Sequence, residues 1–256
     1  MTSAKSIHVA PISSQDARAF VRRHHYSGKT TTNSQLHLGA FLGTRIVGVA
    51  QFGPPMDRSK VIGLVRGTPW NGLLELNRLA LLDDTPRNTE SRFLAVSMRL
   101  LRKHAPHVQW VLSFADATQC GDGTIYRAAG FVLTGIKRNK QMLRMPDGSI
   151  MARKTLDDPN HRGIDGRFGS AVARDAGAVA LPGFQLRYIY FIDPTARDRL
   201  TVPVLPFSAI AEAGAGMYLG KPRASEASSD APSVQDGEGG AAPTLTLQHS
   251  EESRDG

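Results

Sequence analysis

The sequence predicts a mixed α/β (α+β) protein: a central mixed sheet flanked by helices, followed by a disordered C-terminal tail. Two near-continuous apolar runs, Leu73–Leu81 and Val108–Phe114, have strand length and read as strands covered on both faces. Between them, Ser91 to His104 repeats its apolar residues at helical period, with Phe93, Val96, Leu100 and Leu101 expected inward. From Lys221 onward the chain turns to Ser, Ala, Gly, Asp and Glu and has no aromatic residue. Such a segment buries too little apolar surface to offset the entropy of ordering it. One domain is therefore expected over residues 1–220 and a disordered tail over 221–256.

Each element has a local cause. Ser14 to His25 reads as a helix, because Ser13 or Ser14 can cap it and Ala17, Phe20 and Val21 share a face. His24-His25-Tyr26-Ser27-Gly28 closes it. Residues 39–42 and 46–50 read as a strand pair around Gly43-Thr44-Arg45, and Pro54-Pro55 ends that unit. Val61–Val65 reads as a further short strand. Asp83-Asp84-Thr85-Pro86 breaks the Leu73–Leu81 strand, and Pro106 stops the Ser91–His104 helix. Thr124 to Ala129 is a short helix with Gly130 at its C-terminal cap. Phe131–Ile136 and Gln141–Met145 read as a hairpin, and Leu186–Ile192 as a late aromatic strand.

Composition narrows the function classes. The chain has 256 residues, 41% of them apolar, enough for a sizeable core. Its single cysteine, Cys120, excludes an internal disulfide and fits a reducing cytoplasm. No apolar run approaches the ~18 residues of a membrane helix, and Met1 to His8 has no signal-peptide core, so no membrane partner is expected. The net charge is +8, but it is uneven. Three cations and seven acids leave the tail at −4, so residues 1–220 carry +12. A body this basic points to a polyanionic partner or a phosphate-rich cofactor.

The central order of strand, polar loop, helix and strand, closed by Tyr126-x-x-x-Gly130-Phe131, resembles the core of the GNAT acyltransferases. In that fold the helix after the central strand presents its unpaired backbone N–H groups to the pyrophosphate of coenzyme A. The loop here is Pro86-Arg87-Asn88-Thr89-Glu90-Ser91. The resemblance makes Arg87, Asn88, Ser91 and Tyr126 the cofactor-binding candidates. The loop departs from the family pattern: it lacks glycine, and Glu90 brings a negative charge. An ordinary capped helix is the alternative.

A longer ordered set is more specific. It comprises His25-Tyr26-Ser27, Glu75-Leu76-Asn77-Arg78-Leu79, Ser113-Phe114-Ala115-Asp116, Gly121-Asp122-Gly123-Thr124-Ile125-Tyr126, and Tyr188-Ile189-Tyr190-Phe191-Ile192-Asp193. In this order and at these spacings it resembles the Mom family of phage DNA-modification proteins, over roughly residues 15–210. The resemblance implies a GNAT-like fold, acetyl-CoA or a related acyl donor, double-stranded DNA as partner and the host-cell cytoplasm as location. It implies conversion of adenine N6 to a carbamoylmethyl derivative, which protects phage DNA from restriction. It also implies catalytic roles for His25, Tyr26, Arg78, Asp116 and Tyr126.

The residues can be weighed beside that resemblance. Asp116 ends an apolar strand, where a partly desolvated carboxylate suits proton transfer; the alternative is a cap for the following turn. Arg78 interrupts an apolar run and needs a partner, either Asp116 on the neighbouring strand or a ligand phosphate. Tyr126 stands where GNAT enzymes often place the tyrosine that protonates the departing thiolate; the alternative is packing against Phe131. His24 and His25 lie at a helix end, where they can also serve its carbonyls. Acyl transfer alone cannot make a CH₂–N bond, so iron held by His25 and Asp116 is an added expectation, though no metal-ligand spacing carries it. Two basic clusters, one with Arg22, Arg23, His24 and Lys29, the other with Lys137, Arg138, Lys140 and Arg144, are expected on phosphates. Tyr188 and Tyr190 either stack a base or fill a strand. The rival readings are an ordinary GNAT N-acetyltransferase acting on protein, tRNA or a small amine, and a non-enzymatic DNA-binding protein.

Overall fold

The computed structural model describes residues 3–117, 121–158, 169–181, 183–215, 217–218 and 221–222. The first half runs through β1 (His8–Pro11), α1 (Ser14–His24), β2 (Leu36–Leu42), β3 (Arg45–Gly53), α2 (Arg58–Ile62), β4 (Leu73–Leu81), α3 (Thr89–His104) and β5 (Trp110–Asp116). The second half runs through α4 (Thr124–Ala128), β6 (Val132–Arg138), β7 (Met142–Arg144), β8 (Ile150–Ala152), α5 (Arg153–Leu156), α6 (Ser170–Asp175), β9 (Val179–Ala180) and β10 (Phe184–Phe191). After these come α7 (Ser208–Glu212) and the paired strands β11 (Met217–Tyr218) and β12 (Lys221–Pro222).

Seven strands make one sheet in the order β1-β2-β3-β4-β5-β10-β6. Every neighbouring pair is antiparallel except β4 and β5. That parallel pair bonds only from Leu73–Glu75 to Trp110–Leu112, and the ladder stops there. Arg78 and Asp116 lie beyond that point, each at the mouth of the opening between the two strands. A bulge at Asn77, opposite the Gln51–Phe52 step of β3, shifts the alternation of β4. This is the splayed central sheet expected of the GNAT-like fold.

Both faces of the sheet are covered, as the apolar runs require. On one face α3 buries Phe93, Leu94, Met98 and Leu101, while Val96 and Leu100 sit half-buried at its margin. On the other face Ala17 and Val21 of α1 pack on Val49 and Ala80. Ser13 caps α1 through its Oγ, which accepts from the Asp16 N–H.

Two expectations need correction. The segment Val61–Val65 is not a strand: residues 58–62 form α2, with an Asp57–Lys60 ion pair of 2.7 Å along its first turn, and only Val65 bridges to Leu200. Nor does Phe131–Ile136 form a hairpin with Gln141–Met145. β6 pairs instead with β10, from Phe184–Arg138 to Ile189–Val132. β7 joins β8 and β9 in a separate small sheet, closed by a cluster of Leu143, Met145, Leu156, Ala173 and Ala178. The long β10 register and its buried Leu186, Tyr188 and Ile189 give β6 a larger apolar partner than a three-residue strand offers. Residues 139–183 are thus an insertion between β6 and β10.

Among the described residues no helix is long and apolar enough to cross a membrane. Cys120 and residues 223–256, most of the expected tail, lie outside the described residues.

Candidate active site

Asp116 lines a cleft of about 620 Å³ beside the opening between β4 and β5. Its walls come from three parts of the chain: the turn after α1, the end of β6 with β10, and the insertion. Tyr26 and Lys29 come from the first, and Lys137, Arg138 and Gln185 from the second. The insertion adds Lys140, Gln141, Lys154 and Thr155. Lys29 donates to Thr155 Oγ1, and Lys154 reaches Met56 Sδ at 3.2 Å, so two contacts tie the insertion to the body. Five cationic side chains and one carboxylate therefore share one cavity. The two basic clusters separated by more than a hundred residues in sequence converge here, through Lys29 on one side and Lys137, Arg138 and Lys140 on the other. Arg22 and Arg23 are exposed on the last turn of α1 and outside the cleft lining.

His25 and Arg78 form the layer behind Tyr26. The Arg78 guanidinium donates to the Lys29 carbonyl at 2.9 Å through Nε and to the Asn77 carbonyl at 2.6 Å through Nη1. These carbonyls supply the partner that the sequence left open between Asp116 and a phosphate. Arg78 fixes the turn carrying Tyr26 and Lys29. His25 is half-buried; its Nδ1 accepts from the Ser27 N–H at 3.2 Å and lies 2.8 Å from Ser27 Oγ. Burial, then the nearby Arg78 charge, lowers its pKa from 6.5 to about 4. His25 is thus neutral, with its proton on Nε2. Its ring lies 4.3 Å from that of Tyr26, which is 56% exposed. Glu75, on β4 beside this group, has its carboxyl pKa raised by burial, with the Asn77 amide and Arg78 pulling it back.

A second cleft of about 560 Å³ opens at the start of α3. It brings together Arg87, Asn88 and Ser91 of the four cofactor-binding candidates, and adds Lys5, Arg92 and Arg99. The missing loop glycine has a structural explanation. Asn88 adopts the left-handed conformation, φ 68° and ψ 10°, which glycine most often supplies and asparagine tolerates. Glu90 is not among the lining residues. Arg92 lines this cleft, and its Nε is buried with no hydrogen-bond partner among the described residues.

Other candidates are placed elsewhere. Tyr126 is buried in the main core, its ring 5.4 Å from Phe131 and 5.2 Å from Tyr188, and it lines neither cleft. The core-packing alternative describes it. Tyr188 is fully buried, donates to the Asp122 carbonyl and has its pKa raised, chiefly by burial. Tyr190 packs 5.2 Å from Phe131. Both are strand aromatics; Tyr188 has no free face for a base, and Tyr190 is half-buried and lines neither cleft. Among the described residues no group of three or more His, Cys, Asp or Glu side chains is placed to hold a metal. The iron expectation for His25 and Asp116 thus finds no donor set there, and His25 Nδ1 is already committed to Ser27.

Sequence reading missed Gln185, Lys154, Lys5, Arg92 and Arg99. Alternation along β10 places Gln185 on the face of Arg187 and Ile189, but nothing local says that this face meets Asp116. Lys5 stands more than eighty positions before Arg87, and only the docking of the N-terminal turn on α3 joins them.

Solved acetyltransferase structures are similar to this chain. The ribosomal-protein-S18-alanine N-acetyltransferase of Escherichia coli is 13% identical with a TM-score of 0.41, covering 73% of this chain and 94% of that one. A GNAT family acetyltransferase from Elizabethkingia anophelis with acetyl-CoA bound is 11% identical with a TM-score of 0.39, covering 73% and 98%. In sequence, the methylcarbamoylase mom of Escherichia phage Mu is 36% identical over 198 residues, 77% of this chain and 80% of that protein. Residues 6–209 match the model of the Mom protein family. With that match across most of its length, the chain belongs to the Mom protein family.

Proposed function

We propose that this chain is a DNA-modifying transferase that converts adenine N6 in duplex DNA to its carbamoylmethyl derivative, protecting phage DNA from restriction. The observation that carries the proposal is the Asp116 carboxylate set in a cleft with five cationic side chains. The cations suit the DNA backbone, and the carboxylate suits a proton on a base. Family membership, and a relative named as a methylcarbamoylase, support the same reading.

An adenine inside a duplex presents N6 to its pairing partner, so the base must leave the stack to reach Asp116. Tyr26, exposed at the cleft and backed by His25, offers a face for the extruded base. N6 carries two hydrogens and its lone pair is delocalised into the ring. As N6 attacks the donor carbon, the donor's leaving group departs from that carbon with the bonding electron pair, one N6 hydrogen leaves as a proton, and Asp116 accepts it. Neutral His25 holds Tyr26 in place without adding positive charge, and Arg78 holds the turn on which both depend.

The second cleft fits a pyrophosphate-bearing acyl donor such as acetyl-CoA. Lys5, Arg87, Arg92 and Arg99 supply charge and donors, and the α3 N-terminus supplies the positive end of the helix dipole. An acetyl group contributes two carbons and one oxygen, whereas the carbamoylmethyl group also contains nitrogen. The overall reaction therefore needs either a nitrogen-bearing co-reactant together with a two-electron oxidant for the methyl carbon, or a donor whose methylene already carries both the amide and a leaving group.

The test is mass spectrometry of nucleosides from DNA of cells producing the chain, with Asp116→Ala as control. The expected result is a deoxyadenosine about 57 mass units heavier, absent from the control, while Asp116→Ala still binds duplex DNA. A gain of about 42 units means plain acetyl transfer. DNA left unmodified by soluble protein returns the chain to the protein-acetylating or binding-only readings.

A further inference from the structure

Asp116, Gln185 and Lys137 stand in one row across three neighbouring strands. Gln185 on β10 is the direct partner of Asp116 on β5 and of Lys137 on β6. Directly opposed residues project to the same side of a sheet, with Cβ atoms ~4.5–5.5 Å apart. All three line the 620 Å³ cleft, and Gln185 is exposed there at the foot of β10. A neutral carboxamide is thus held between a carboxylate and an ammonium group.

We infer that Gln185 reads the target base, its carboxamide pairing with the N6–N7 edge of the extruded adenine while Asp116 takes the other N6 hydrogen. The inference rests on the adenine-modification reading and names how that site chooses its base. Adenine N6 has one hydrogen on the N7 side and one on the N1 side. The Gln185 Oε1 accepts the first and its Nε2 donates to N7, the bidentate match a carboxamide makes with adenine. The second hydrogen faces Asp116, the group proposed to receive it. Guanine presents two acceptors, O6 and N7, to the same amide, so Oε1 meets an oxygen and has no hydrogen to accept. Lys137, on the far side of Gln185, is left for backbone phosphate. One row of three side chains then divides selection, proton removal and backbone anchoring.

The test uses the full chain and a duplex with a single target adenine, compared with the same duplex carrying 7-deazaadenine, in which N7 is replaced by CH. Gln185→Ala is expected to lower kcat/KM on adenine about tenfold to a hundredfold. The 7-deaza base is expected to lower the wild-type value by a similar factor and to cost Gln185→Ala nothing further. Gln185→Glu keeps the size of the side chain but loses the donor, and should be as poor as the alanine variant. Thermal unfolding and equilibrium binding to duplex lacking the target should match wild type in both variants. If either variant modifies adenine as well as wild type, or if the deaza base costs wild type and variant alike, the inference falls and the adenine reading stands. Wild-type chain that modifies no adenine overturns both.

Discussion

At the residue scale, His25 and Arg78 show how a motif acts as a unit. Sequence order placed His25, Tyr26 and Arg78 in one set, but not Arg78 as the holder of the Lys29 carbonyl. The consequence for pH is specific. Folded His25 stays neutral to about pH 4, while the unfolded imidazole gains a proton below its ordinary 6.5. The unfolded state binds the extra proton in that window, so the contribution of His25 is complete above pH 6.5 and is lost as pH falls towards 4. Arg78→Met removes one of the causes that depress His25. The His25 pKa, followed by NMR titration, should rise, and the acid-side loss of stability should shrink. At pH 7.5 the same variant should be less stable by about 2 kcal/mol, because two backbone carbonyls lose a charged donor. An unchanged His25 titration would show that Arg78 does not act on it.

At the element scale, most segments were readable because their causes are local. Ser13 caps α1, the apolar run of β4 is covered on both faces, and α3 shows its buried stripe in the sequence. The failures were also physical. A five-residue apolar stretch cannot tell strand from a single helical turn, and α2 took the second form. The apparent β6–β7 hairpin lost to β10, a strand some fifty residues later, because only distant pairing covers β6. The α4 N-terminus gives a sharp prediction at this scale. Gly123 has φ +74°, and a Cβ there would come within 2.5 Å of the fully buried Tyr188 ring. Gly123→Ala therefore combines backbone strain with overpacking and should cost about 2–4 kcal/mol in urea unfolding. A loss under about 0.5 kcal/mol would mean that Tyr188 is not held as described.

At the scale of the whole molecule, the insertion turns one end of the sheet into a basic cleft. Its lining cations predict a steep salt dependence for DNA. If Lys29, Lys137, Arg138, Lys140 and Lys154 each neutralise a phosphate, log affinity should fall against log salt with a slope of about −4 to −5. Replacing Lys137 and Arg138 by alanine should make the slope shallower by about two, with similar loss on every sequence. A slope near zero for the wild-type chain would remove DNA from the cleft.

The sequence by itself determined the class of the fold, the Ser13-capped α1, the two buried strands β4 and β5, and the family set from His25 to Asp193. These follow from periodicity, capping and motif order, which are properties of short stretches. It also supplied the basic side chains, without saying that they meet. Only the tertiary structure decided that Lys29 and Lys137 face one cavity, that Gln185 opposes Asp116, and that Tyr126 is core rather than cleft. Those outcomes depend on strand register and on which apolar surface best covers another, and both are set by contacts between residues far apart in the chain.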